Sequence, residues 1–172
     1  MENDMSQAGE MSQSEAVAKI WDLIRDVKVA MLTTSGPKGE LRSRPMASQE
    51  SDFDGDLWFL SRQQSGKVDE IEHGSKVSLT YVNNDRHAYV ALSGTADLTT
   101  SRERINQLWK PLDAAWFPQG KDDPDILAIK VTIEEAEYWE APGNALVRGY
   151  HLLKAIATQG KSQPGEHKKI AL

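Results

Sequence analysis

Short strand-like runs punctuated by turn residues leave this chain few folds. Val29 to Thr34 reads as a strand, and Ser35-Gly36-Pro37-Lys38-Gly39 supplies the backbone angles of a turn. Leu41 to Ala47 returns, with Pro45 requiring an edge, a bulge or an opening to a ligand, because proline cannot donate to a ladder. Leu57 to Ser61 is a third strand after an acidic turn over 52–56. Val77, Leu79 and Tyr81 alternate with Ser78 and Thr80, so Lys76 to Val82 and His87 to Asp97 form a hairpin. Ile126 to Ile133 is a further strand, and Glu137-Tyr138-Trp139-Glu140 is expected to be the last. Helices are expected only between or outside these runs. Ala16, Val17, Ile20, Leu23 and Ile24 repeat at helical spacing behind a cap at Ser12 or Ser14. Lys67 to His73, Ser101 to Trp109 and Ala145 to Ala157 complete the set. The pattern is mainly β with flanking helices, an antiparallel barrel.

A length of 172 residues suits one domain. Residues 1–13 read as a flexible leader, 14–157 as the barrel domain and 158–172 as a loose basic tail. The net charge of −6 argues against a nucleic-acid partner, which needs a basic surface. No apolar run approaches the roughly 20 residues of a membrane span, so no membrane partner is expected. The chain holds 0 cysteines, which excludes disulfides and thiol chemistry and fits a cytoplasmic location.

Three neighbouring segments carry the chemistry. Arg42 and Arg44 flank Ser43 and share one strand face. Leu57-Trp58-Phe59-Leu60-Ser61 ends an apolar strand in a hydroxyl, and Ser65-Gly66-Lys67 opens a helix. Arginine offers a fork of donors matched to phosphate oxygens, lysine a mobile charge, and the helix start free N–H groups. Together they suit a flat ring carrying a phosphate. Each piece has a plainer reading: a solvated strand face for the arginines, a routine cap for Ser65, core packing for Trp58, Phe59 and Tyr81. Trp116-Phe117-Pro118 lies in the irregular stretch 111–124, as a functional loop, a plug on the barrel mouth or a dimer contact. No phosphate-loop, dinucleotide, zinc-protease or hydrolase-elbow motif occurs. His73, His87, His151 and His167 lack metal-ligand spacing. Without a protein nucleophile, the chemistry points to a cofactor.

In order and spacing these segments resemble the FMN-binding split barrels of the pyridoxamine 5′-phosphate oxidase-like family, in its general stress protein branch. The likeness rests on Met31-Leu32-Thr33-Thr34, Arg42 to Met46, Leu57 to Ser61, Ser65-Gly66-Lys67, Val90 to Ala96, Trp116 to Gly120, Asp123-Pro124 and Glu137-Tyr138-Trp139. It implies a six-stranded antiparallel split barrel and a homodimer with FMN at the interface. It implies Arg42 and Arg44 at the ring edge or phosphate, and Pro45 and Met46 against the ring. Leu60 and Ser61 would line the site, and Ser65 and Lys67 would hold phosphate. Trp116 and Phe117 would close the pocket from the partner chain, with Trp139 nearby. A small-molecule electron donor or acceptor would complete a flavin-dependent oxidoreductase acting on an unnamed substrate. The other readings are a flavin-sequestering stress protein, a haem protein with His73, His87 or His151 as axial candidates, a deazaflavin protein, and a split-barrel dimer whose pocket is empty. The true oxidases end in an arginine- and histidine-bearing segment; here Gly143-Asn144-Ala145-Leu146-Val147-Arg148 stands instead, and oxidation of vitamin B6 is not implied.

Overall fold

The structure, a computed structural model, describes residues 12–49, 53–141 and 166–171. The expected leader up to 11 and the helix over 145–157 lie outside those residues. The first helix, α1 (Gln13–Ile24), begins at Ser12, whose hydroxyl accepts from the Glu15 amide while Glu15 returns to the Ser12 backbone. This reciprocal cap satisfies two of the N–H groups that a helix start leaves open. Its buried stripe, Ala16, Ile20, Leu23 and Ile24, faces the sheet.

The strands are β1 (Val29–Ser35), β2 (Leu41–Ala47), β3 (Asp56–Arg62), β4 (Lys76–Asn83), β5 (Ala88–Thr99), β6 (Ile126–Glu140) and β7 (Glu166–Ala171). Helix α2 (Gly66–His73) separates β3 from β4, and α3 (Arg102–Leu108) follows β5. All pairings are antiparallel, in the order β2-β1-β4-β5-β6-β3, with β7 added to β6. The two ends of that path, β2 and β3, meet at a single bridge between Gln49 and Trp58, where the Gln49 amide donates to the Trp58 carbonyl at 3.1 Å. Among the described residues, that bridge closes the barrel at one point and leaves it parted elsewhere along the seam. Phe59, Leu79, Val90, Leu92, Ile129, Val131 and Tyr138 fill the interior.

Two expectations change here. The last two strands of the sequence reading are one strand of 15 residues, β6. Glu134 and Glu135 interrupt the apolar run, yet each has a local reason to be there. Glu134 falls at a bulge opposite Ser93 and Gly94 and pairs with Lys76 at 2.7 Å, while Glu135 pairs with Lys169 at 3.2 Å. The bulge explains Gly94: a Cβ there would lie 2.0 Å from the Thr132 carbonyl oxygen. Second, the tail is not loose over 166–171. Those residues form β7, which the acidic half of β6 holds through Lys169–Glu135, the His167–Glu137 pair at 2.7 Å, and buried Ile170. Its basic side chains disguise a strand because their partners are acidic residues on another strand.

Candidate functional site

A cavity of about 440 Å³ lies beside the parted seam, between β2, the end of β3, the start of α2 and the loop after α3. That volume falls in the usual range for one small ligand, about 300–1,000 Å³. Of the residues singled out from sequence, Arg44, Pro45, Met46, Leu60, Ser61, Ser65, Lys67, Trp116 and Phe117 all line it. Pro45 sits on an edge strand, where its missing N–H costs no ladder bond. Phe117 is buried, and Trp116 is 69% exposed at the mouth. Both lie on the wall of this chain's own cavity.

One end of the cavity is cationic. Lys67 Nζ donates to Ser61 Oγ at 3.1 Å, and Ser61 and Ser65 hydroxyls lie 3.1 Å apart. Ser65 precedes α2 but does not cap it with its side chain, so its hydroxyl belongs to this cluster instead. Desolvation first, then the Arg44 charge, pushes the Lys67 ammonium below the usual lysine range, with Glu70 acting in the opposite sense. The fold therefore holds a half-buried ammonium against its own electrostatics. An anion placed there would offset both with a favourable charge interaction.

Arg42 and Arg44 do share a face, and both reach Glu70 on α2. Arg42 Nη1 donates to Glu70 Oε1 at 2.9 Å, and Arg44 binds the other carboxylate oxygen and the Thr34 hydroxyl. Thr34 also donates to Glu70. These donors, the Thr34 hydroxyl foremost, hold the Glu70 carboxyl below the usual range although it is buried. Glu70 escaped the sequence reading because it stands among the charged residues Asp69, Glu72 and His73. Only its place between buried Val68 and Ile71 hinted at an inward position. Arg42 is spent on Glu70 and Glu40 and does not line the cavity. Trp139 does not reach it either: it stacks on His167 with ring centroids 4.9 Å apart, on the β6–β7 face.

The other end holds residues that the sequence reading passed over. Gln49 Nε2 donates to Asp113 Oδ1 at 3.2 Å, and Asp113 Oδ2 accepts the Lys110 amide at 2.8 Å. Asp113 lies in a 3-10 turn, Pro111–Ala115, and both residues are buried in the cavity wall. Arg62 donates to the Trp116 carbonyl at 2.9 Å and lies over the Phe117 ring, fixing the loop. Trp58, Phe59 and Tyr81 take the core reading: Phe59 and Tyr81 are buried, and Trp58 is half-buried with Arg104 over its ring at 4.5 Å. Among the described residues, no cluster of three metal-ligating side chains occurs, and His73, His87 and His167 all lie outside the cavity wall. His151 is outside the described residues.

The class these observations define is an antiparallel split barrel with a phosphate-suited cavity at its seam. The family model for pyridoxamine 5′-phosphate oxidase-like proteins matches residues 15–163, and the chain belongs to that family. Its relatives include the protein bli-3 of Neurospora crassa, 31% identical over 121 residues; the match covers 64% of this chain but only 58% of bli-3. General stress protein 26 of Bacillus subtilis is 26% identical over 76% of this chain and 93% of its own length. Among solved structures, a candidate general stress protein 26 from Jannaschia sp. CCS1 superposes with a TM-score of 0.74 at 26% identity, over 93% of this chain and 100% of that one. A general stress FMN/FAD binding protein from Xanthomonas citri does so with a TM-score of 0.64 at 25% identity, over 74% and 90% respectively. No helix among the described residues is long and apolar enough to cross a membrane.

Proposed function

We propose that this protein binds FMN in the seam cavity and works as a small flavin-dependent oxidoreductase of the general stress protein type. One observation carries the reading: Arg44, Ser61, Ser65 and Lys67 gather at one end of a cavity whose middle is walled by Met46, Leu60 and Phe117. Lys67 is held there at an electrostatic cost that a phosphate would offset. The FMN/FAD-binding relative from Xanthomonas citri supports the same ligand class.

Bound flavin would supply the electron transfer. The chain's part is to hold and orient it. Lys67 and the two serines donate to phosphate, Arg44 adds charge, and the apolar wall packs the ring and excludes water. The described cavity wall holds no histidine, tyrosine or cysteine, and the carboxylate of Asp113 is engaged by Gln49 and Lys110. A small reductant such as a reduced nicotinamide, and an acceptor such as oxygen, would meet the exposed side of the ring.

A second copy of the chain would complete the site. Val29, Met31, Pro45 and Ala47 lie opposite one another across β1 and β2 and form an exposed apolar patch that continues into the cavity wall. Such a patch on the rim of a ligand site fits a partner surface.

The first test is the absorption spectrum of the purified protein, followed by the mass of any released ligand. Flavin bands and the mass of FMN are expected, and turnover with reduced nicotinamides would then separate an oxidoreductase from a flavin-holding protein. A colourless protein that takes up no added FMN would overturn the reading.

A further inference from the structure

Glu70 is buried on α2 and lies outside the cavity wall, yet it holds a residue that belongs to that wall. Arg44 lines the cavity; its Nη2 donates to Glu70 Oε2 and its Nη1 to the Thr34 hydroxyl. Thr34 is 1% exposed, and its hydroxyl donates in turn to the same carboxylate oxygen of Glu70. Guanidinium, hydroxyl and carboxylate thus close a triangle in which each member touches both others. A planar guanidinium gripped at two nitrogens keeps one orientation. The other carboxylate oxygen accepts from Arg42, which stands outside the wall.

Two effects of opposite sign meet at Glu70. A carboxylate close to an anion site opposes the anion by charge. A carboxylate that fixes a cation favours the anion, because a long side chain already ordered loses little further freedom when the ligand binds. The position on α2 links this to the second cation. Lys67 stands three residues before Glu70, so the two share a helix face. The charges of Arg44 and Glu70 both act on the Lys67 ammonium, in opposite senses. Helix α2 therefore supplies Lys67 to the cavity directly and fixes Arg44 through Glu70, while Thr34 ties both to β1.

We infer that Glu70 is a positioning residue for the anion end: by fixing Arg44 it makes the cavity prefer a phosphorylated ligand to the same ligand without phosphate, despite its own negative charge. The inference rests on the flavin reading above. Its test compares FMN with riboflavin, which has the same ring and no phosphate, by quenching of flavin fluorescence. The parent, Glu70→Met, Arg44→Ala and the double variant are titrated with each. Methionine keeps the length of the side chain without a carboxylate, and Glu70→Ala replaces that variant if it does not fold. The parent should bind FMN more tightly than riboflavin. Glu70→Met should weaken FMN about tenfold, the loss of one well-placed charge-assisted contact, and leave riboflavin unchanged. In the Arg44→Ala background the same substitution should weaken FMN no further, since only the repulsion by Glu70 is left to remove. FMN binding that is unchanged or tighter in Glu70→Met means that charge outweighs position, and overturns the inference. Equal losses for the two ligands overturn it as well, because a merely structural role acts on both. So does a loss of the same size in the Arg44→Ala background. Equal binding of both ligands by the parent overturns it and leaves a flavin site without phosphate selectivity. Where riboflavin binds too weakly to titrate, the Arg44→Ala background decides alone. Failure of both ligands to bind the parent overturns the flavin reading, and this inference with it.

Discussion

Glu70 is the residue on which the cationic end depends. Its side chain is 4% exposed and meets Arg44, which is 20% exposed, and Arg42, which is 57% exposed. Removing one partner of such a pair leaves a charge without compensation, which typically costs about 3 kcal/mol or more. Most of that loss should come through Arg44, since Arg42 is well solvated. The folded pKa of Glu70 is lowered from 4.5, so its contribution to stability is present above that value and is lost as pH falls through the folded pKa. Glu70→Gln should therefore be less stable than the parent at about pH 7, and the gap should narrow at about pH 3. Urea unfolding at both values checks this, and a gap independent of pH would contradict it. Lys67 has the opposite sign. Its folded pKa is lowered from 10.5, so the ammonium form weighs against folding until pH rises through that folded value. Lys67→Met should leave the melting temperature of the ligand-free protein unchanged or higher, yet weaken FMN binding about tenfold or more. Titration by fluorescence quenching together with thermal unfolding separates the two effects.

At the level of elements, β6 organises the molecule, because it pairs with β5 along its length, with β3 over its first half and with β7 over its second. The register of its pairing with β5 shifts once, at the bulge by Gly94. Gly94→Ala would drive a Cβ into the Thr132 carbonyl, a backbone group that cannot rotate away. A loss of about 2 kcal/mol or more is expected, seen as a lower urea midpoint. Stability equal to that of the parent would show that the bulge relaxes. The same elements show what the sequence makes legible. Strand alternation in β4, the turn before β2, the flaw at Pro45 and the Ser-Gly-Lys helix entry are local signals, and they place most of the cavity wall. β7 and the continuity of β6 depend on charges paired across distant strands, which no local period records. Glu70, Gln49 and Asp113 were missed for a related reason. Polar residues look like surface until the fold supplies the partners that bury them.

At the scale of the whole molecule, the apolar patch of Val29, Met31, Pro45 and Ala47 is where the proposed second copy would dock. Val29 is 50% and Met31 41% exposed, in register with Ala47 and Pro45 on the edge strand. Met31→Asp should give a monomer by light scattering and weaker FMN binding, without loss of fold, since the side chain points away from the core. A variant that remains a dimer would place the interface elsewhere.

The seam joined at Gln49–Trp58 has one more consequence. A β2 edge whose N–H and C=O groups find no strand partner along most of one side among the described residues is a template for strand addition, the first step toward aggregation. Pro45 removes a donor from that edge, and Arg42 and Arg44 place charge along it. Arg44, which also lines the cavity, and Arg42, which does not, would thus serve as gatekeepers against self-assembly into fibres. Charge-removing substitutions in β2 should therefore be judged by solubility over time as well as by ligand affinity.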